Sequence, residues 1–422
     1  MQPVSSFWAQ AMTAPTLNIV TYAEVWTPPS ASSSTGAFLG RFNITAGSVT
    51  VDSTNAIRRS CSTVTLVPMP MDPAGPGVPN VNTDLLFPFG NELIIYKGCR
   101  YPTTPAYAGA PILNVPGLPG SPFPGEVVSL GRFLIEDVKI YRTGSQGLYI
   151  DLNGRDRGGT ISRNKFTVPY ATNGSSTLDV QLHSLISSRM ANLAYNLEPT
   201  TYVPAVMNFN IGDDPWQSAQ TLAASGGYEV FPDVQGVIVG RPVLNPAQSA
   251  IVATYQSDSS SILTAIERSL ITTSIPNIVI ATAQGSNTGG PFISYWWDSN
   301  QNSPTFYNAT APTIGSNMTT LPSQQGTYPP TVGTVTNAAA TSQSQNDSIA
   351  MASGLGVLGT YETIDFKMRD NPAHDVDDVV SLYDADSTVT PKQYVLDSVT
   401  IAIDKSTDWE GKGRLVIAAV HA

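Results

Sequence analysis

A chain of 422 residues, 41% of them hydrophobic, has room for two to four domains with real cores at roughly 150 residues each. Only 13% of its residues are charged, about half the ordinary share of about 25%, and the net charge is −11. This balance, with no basic cluster, excludes a DNA-binding role through phosphates, and the lack of any long apolar run excludes a membrane-spanning helix. The opening MQPVSSFWAQAMTAP has no basic region and no long apolar core, so it is not a secretory signal. Short Val/Thr/Ile-rich runs at 17–26, 38–44, 48–52 and 61–67 then read as strands punctuated by Pro-Pro, Ser-rich and Gly turns. A proline-dense loop at 68–80 follows, a strand at 92–96, and a second proline-rich loop at 101–125 without a charged residue. Two further runs, 133–141 and 148–152, flank the polar turn 142–147 and predict a hairpin that ends in Asn153-Gly154-Arg155-Asp156. The first β domain is expected to close near Gly158, so it spans 1–158.

The pattern changes beyond that point. Leu178, Leu182, Leu185, Ile186 and Met190 form a helical stripe after the N-cap candidates Ser175–Thr177. A second helix is capped by Asp213 or Asp214, takes Pro215 in its first turn, buries Trp216, Ala219, Leu222 and Ala223, and stops at Gly226-Gly227. With a hairpin at 228–231 and 237–239, residues 159–244 read as a small α/β unit. Residues 250–283 carry helical spacing at Ile262, Ile266 and Leu270, but their β-branched density favours strands. Residues 299–346 contain no charged side chain, and 284–346 reads as an ordered surface-hugging excursion, with a flexible loop as the alternative. A helix at 347–358 and strands at 361–367, 378–383, 394–403 and 414–420 complete a C-terminal β region, 245–422.

Motifs for chemistry fail on inspection. Gly354-Leu355-Gly356-Val357-Leu358-Gly359 spells a dinucleotide fingerprint, yet a helix precedes it and a strand follows, the reverse of what phosphate binding requires. The run from Asp298 starts like a calcium loop but has Ser303 where glycine is needed and Ala309 in place of the bidentate glutamate. Asp375, Asp377 and Asp378 could hold a divalent ion; turn chemistry after Asn371-Pro372 accounts for them more simply. His183, His374 and His421 sit in no catalytic motif. Among Glu126, Glu136, Asp137, Asp156 and Glu229 nothing singles out a glycosidase pair. No catalytic, metal or cofactor site is expected, and the chain is not expected to be an enzyme. Cys61 and Cys99 read as buried free thiols, with a disulfide between them as the alternative.

Several features in one order resemble phage tail hub proteins, the rings that close the tip of a tail tube. They are Gly131-Arg132-Phe133-Leu134-Ile135-Glu136-Asp137-Val138 with the corner Gly154, Arg155, Asp156; the Trp216-to-Gly227 helix before Tyr228-Glu229-Val230-Phe231-Pro232-Asp233, Gly236 and Val237–Val239; and Asn371-Pro372, Asp375–Val380 and Tyr394–Val399. The long proline loops and the charge-free excursion depart from that pattern.

The resemblance implies a mainly β chain with two tube-like β-barrel domains plus an α/β domain. It implies a homotrimer whose six barrels adapt a sixfold tube to a threefold tip around a DNA channel. Its implied partners are the distal tail protein, the tape-measure protein and the tail fibre or tip proteins, in the virion tail tip after synthesis in the bacterial host cytoplasm. The family's fused peptidase or fibre domains are not expected, because the sequence stops after its last strand. An acidic chain suits a conduit that must not hold passing DNA, although mild acidity is also ordinary among soluble proteins. The alternatives are a hexameric distal tail adaptor, expected to lack the 159–244 unit, and a secreted carbohydrate-binding or carbohydrate-cleaving β protein, for which Trp296-Trp297 is the one candidate platform.

Overall fold

A computed structural model describes residues 1–12, 14, 18–68, 78–88, 90–118, 120–142, 148–257, 263–271, 273–283, 291–310, 321–369, 371–386, 390–404 and 409–417. Most of the proline loop at 68–80, the hairpin turn at 143–147, the stretches 284–290 and 311–320 of the excursion, Ile262 and His421 lie outside them.

Helix α1 (Ser6–Met12) precedes strands β1 (Asn18–Trp26), β2 (Phe38–Asp52), β3 (Arg59–Pro68), β4 (Glu92–Arg100), the short β5 (Ile112–Leu113), β6 (Phe123–Arg142) and β7 (Leu148–Arg155). Six of these strands pair antiparallel in the order β1-β4-β6-β7-β3-β2, and β1 pairs back onto β2, so the sheet closes into a barrel without an edge. Sequence spacing splits β2 in two, and the reason lies at Gly47. Buried positions fall on Phe42 and Ile44 before it and on Val49 and Val51 after it, a change of parity that only a bulge permits. The β2–β3 register slips on both sides of Ala46; Gly47 has φ +126°, and a Cβ there would lie 2.8 Å from Val64 Cα. Both cysteines are buried and unbonded, and burial pushes the Cys61 thiol up.

Next come α2 (Arg157–Arg163), β8 (Tyr170–Ala171), α3 (Leu178–Ser187), β9 (Tyr195–Leu197), β10 (Asn208–Phe209), α4 (Pro215–Ala224), β11 (Tyr228–Pro232) and β12 (Ile238–Pro242). They pack around a core of their own, with Ile161, Leu182, Leu185, Trp216, Leu222 and Ile238 at its centre. Helix α4 begins as expected: the Asp214 carboxylate accepts from the Trp216 N–H at 2.9 Å, and Pro215 opens the first turn. Helix α2 has no such legible start, because Gly158-Gly159 reads as a turn. Its glycines are steric: a Cβ on Gly158 would strike the Trp216 indole at 2.8 Å.

The remaining elements are β13 (Ile251–Ser257), β14 (Leu263–Leu270), β15 (Ile278–Ala283), β16 (Phe292–Trp297), β17 (Val332–Thr336), α5 (Gln343–Val357), β18 (Glu362–Met368), β19 (Val379–Asp384), β20 (Lys392–Ala402) and β21 (Trp409–Leu415). A second array runs β13-β19-β20-β21-β18-β14, antiparallel except for the parallel β13–β19 pair. Strand β20 also pairs with β2, from Ser48↔Ala402 to Asp52↔Ser398, which fuses both arrays into one 13-stranded sheet. The sequence places the last strand at 414–420, of which 418–420 lie outside the described residues; β21 instead begins at Trp409, and its glycines let backbones meet: a Cβ on Gly413 would lie 2.4 Å from the Val395 carbonyl oxygen.

Strands β16-β15-β17 form a separate sheet under α5. Gly354 lets α5 close over Trp296, since a Cβ there would fall 2.0 Å from its ring. Part of the charge-free excursion packs on the sheet's other face, where Tyr307 meets Ile278 and Trp297 and its hydroxyl donates to the Pro322 carbonyl at 2.7 Å, while its later part supplies β17 and the first turn of α5. Gly359, with φ +84°, ends the turn after α5, so the glycine run there is a helix stop.

Candidate functional site

The barrel exit is a buried ionic junction. β7 delivers Asp156 to the start of α2, where it is the N-cap and is 1% exposed. Its carboxylate accepts from the Arg59 backbone N–H at 2.8 Å and weakly from the Gly159 N–H at 3.4 Å. Its own N–H donates to the Arg59 carbonyl at 3.0 Å, so the corner is clamped on both sides to β3. Burial pushes this carboxyl up to about 6, and the hydrogen bond from Arg59 and the nearby guanidinium only partly offset that. Gly154 sits in β7 between Cys61 and Ile135, where a Cβ would meet the Leu134 carbonyl oxygen at 2.6 Å.

Arg155 points away from this junction. It makes a two-pronged pair with Glu136 at 2.8 Å and is 40% exposed, while Arg163 reaches the same carboxylate at 3.2 Å. Arg155→Ala should therefore lower stability by less than about 1 kcal/mol, read from the urea midpoint of the purified protein.

The strongest charges at the exit are ones the sequence does not mark. Glu92, in β4, is 2% exposed and lies between two arginines. Arg132 of β6 donates to it, and Arg157 of α2 donates through Nε at 2.9 Å and Nη2 at 3.0 Å. Arg157 also donates to the Gly236 carbonyl at 2.7 Å, tying the first barrel to the turn between β11 and β12. Arg59 does the same for a third element: it donates to the Pro232 carbonyl at 2.7 Å and to the Asp375 carboxylate. Beside it, two guanidiniums lie over the Phe231 ring, that of Arg58 at 3.7 Å from its centroid and that of Arg241 at 4.9 Å. Both arginines pair with Glu229 and Asp377. The only available sign was a charged residue inside an apolar strand run, as at Glu92 and Arg132.

Most of the singled-out acids thus have partners of another kind. Asp375 and Asp377 face arginines, while Asp378 accepts from His374 Nδ1 at 3.0 Å. Burial and the neighbouring Asp377 push the Glu229 carboxyl up, against the pull of Arg241 and Arg58. Glu126 accepts from the Ser5 hydroxyl at 2.6 Å and the Tyr101 hydroxyl at 2.9 Å. Asp298 accepts from the Asn300 N–H at 3.1 Å and the Thr305 hydroxyl at 2.7 Å. His183 packs against Tyr195 with ring centroids 4.4 Å apart and ring planes tilted by 53°. The arrangement is suited to holding three parts of a chain at fixed angles; among the described residues no group of His, Cys, Asp and Glu is placed to hold a metal. No described helix is long and apolar enough to cross a membrane.

By sequence, no known protein family matches the chain, and no curated protein does. Its fold is another matter. It is similar to a tail protein from Neisseria meningitidis MC58, with a TM-score of 0.55 at 11% identity, over 93% of this chain and 96% of that one. It is similar again to the 43 kDa tail protein of prophage MuSo2 from Shewanella oneidensis, with a TM-score of 0.53 at 10% identity, over 93% and 98%. Over nearly its whole length the chain therefore shares the fold of these two tail proteins.

Proposed function

We propose that this chain is a structural, non-enzymatic component of a phage tail tip, a hub of three copies that closes the tube and leaves a channel for DNA. The observation that carries this reading is the β2–β20 pairing, which fixes the first barrel and the second strand array side by side in one chain. Three such chains would present six barrels to a sixfold tube while keeping a threefold face for the tip. In this reading 1–158 and 245–422 are the barrel domains, 159–244 is the spacer that sets their angle, and Gly154, Arg155 and Asp156 mark the corner between barrel and spacer. The neighbours would be the distal tail protein, the tape-measure protein and fibre or tip proteins, and the location the virion tail tip. A channel wall of neutral or acidic character is expected, so that DNA does not adhere.

Native mass spectrometry across a concentration series tests the reading. A species near three times 44.7 kDa is expected. A hexamer would favour a distal adaptor instead, and a strict monomer at all concentrations would count against both.

A further inference from the structure

Helix α5 packs Ile349 and Ala350 on the β16-β15-β17 sheet and turns another face toward the α/β unit. On that face Ser348, Met351 and Leu355 recur at spacings of three and four, and they form one wall of a groove of 380 Å³. Tyr202, Tyr228 and Val243 supply the facing wall. Both tyrosines, Val243 and Met351 are half-buried, so the groove presents aromatic and apolar surface. Its walls are fixed in advance. The Tyr202 and Ser348 hydroxyls share a hydrogen bond at 2.6 Å across the seam, and the Gln345 amide donates to the Ser225 carbonyl at 2.8 Å. The one charged lining group, Asp347, already accepts from the Ser294 hydroxyl at 2.6 Å and the Gln343 amide at 2.8 Å.

We infer that this groove receives the proline-rich segment 70–79 of a neighbouring copy, an inference that rests on the three-copy reading of the chain. The sequence places Pro70, Pro73, Pro76 and Pro79 at every third position. A polyproline II helix has three residues per turn, so this spacing sets all four rings on one edge. Rings so arranged dock on aromatic-lined grooves, and a chain stiffened by proline loses little freedom on binding. The lengths agree. Lining positions on α5 run from Ser344 to Leu355, about 16 Å of helix, and about five residues of polyproline II, carrying two of the prolines, span the same distance. Residues 69–77, which join the end of β3 to Val78, outnumber those five and leave chain at both ends to connect. The charges agree too. Asp72 is the segment's only charged residue, and the three-residue period puts it off the proline edge, so no charge enters the groove.

The test uses a synthetic peptide of residues 68–80 and a scrambled peptide of the same composition in which no two prolines stand three apart. The receptor is the full-length chain carrying Pro73→Gly and Pro76→Gly, so that its own segment leaves the groove free. Two further versions of this receptor alter the groove: Ala352→Trp fills it, and Val243→Lys sets a charge in it. Circular dichroism checks that each is folded, and the comparison of the two peptides needs neither. The native peptide should bind at least tenfold more tightly than the scrambled one, and at least tenfold more weakly to either folded groove variant. The Pro73→Gly, Pro76→Gly chain should also need at least a tenfold higher concentration than the parent to self-associate. No binding, equal binding of the scrambled peptide, or indifference to both groove variants would overturn the inference and leave the three-copy reading to the native mass. Undiminished self-association of the Pro73→Gly, Pro76→Gly chain would overturn the assignment to a neighbouring copy.

Discussion

Asp156→Ala is expected to lower stability by about 2–4 kcal/mol and to reduce assembly, with no catalytic property to lose. The change removes the cap of α2 and leaves the Arg59 backbone N–H, held at 2.8 Å, without its acceptor in a buried site. Asp156→Asn keeps an acceptor and should cost less. The pH dependence has a definite sign. Because burial raises this carboxyl to about 6 in the folded chain, the folded state binds its proton more tightly than the unfolded chain does. The associated stability is therefore complete below about pH 4 and is lost as pH rises through about 6, an effect of order 2–3 kcal/mol. Urea denaturation of parent and Asp156→Asn at several pH values reads both effects. Equal slopes for the two proteins between pH 4 and 6, or a loss under about 1 kcal/mol for the alanine variant, would show that the corner is not held by this side chain.

Glu92→Ala should be more damaging, by about 3–5 kcal/mol, because it strands two guanidiniums in a site that excludes water. Arg132 and Arg157 are 3% and 2% exposed, and Glu92 is the carboxylate that both reach. Glu92→Gln keeps the shape but not the charge and should fall nearly as far. The contrast with Arg155→Ala is the informative one: two ion pairs that look alike in sequence differ severalfold because one is buried and the other is 40% exposed. Failure of Glu92→Ala to lower the denaturation midpoint beyond the Arg155→Ala change would remove the junction as the element that fixes the barrels.

Local patterns carried most of the fold. Alternating β-branched runs located nearly every barrel strand, and the Asp214-Pro215 start with its Gly226-Gly227 stop located α4 within a residue. What escaped the sequence has a common cause, that glycines and charges take their meaning from distant neighbours. Gly47 merges two predicted strands because Val64 lies against it; Gly158 belongs to a helix because Trp216 lies over it. Helix α1 is only seven residues long and is held by contacts such as Trp8 to Asn371, 363 positions away, so no local rule finds it. The ionic junction was invisible for the same reason. Arg59 and Asp375 are ordinary letters until the fold brings them together.

The alternative of a sugar-binding β protein needed Trp296 and Trp297 as an exposed platform. Trp296 is 3% exposed beneath α5 and Trp297 is 1% exposed, with its indole donating to the Thr310 carbonyl at 2.9 Å. Both are core. The hexameric adaptor was expected to lack an α/β unit, and here the elements from α2 to β12 enclose a core of their own.

The central claim is geometric: two barrels per chain, three chains per ring. Electron cryomicroscopy of the purified assembly viewed down its axis tests it most directly. The account predicts threefold symmetry with six barrel-shaped densities around a central channel, alternating between the barrel that ends at Arg155 and the one built on β18–β21. Six copies in a ring, or three copies with a single barrel each at the channel wall, would contradict it.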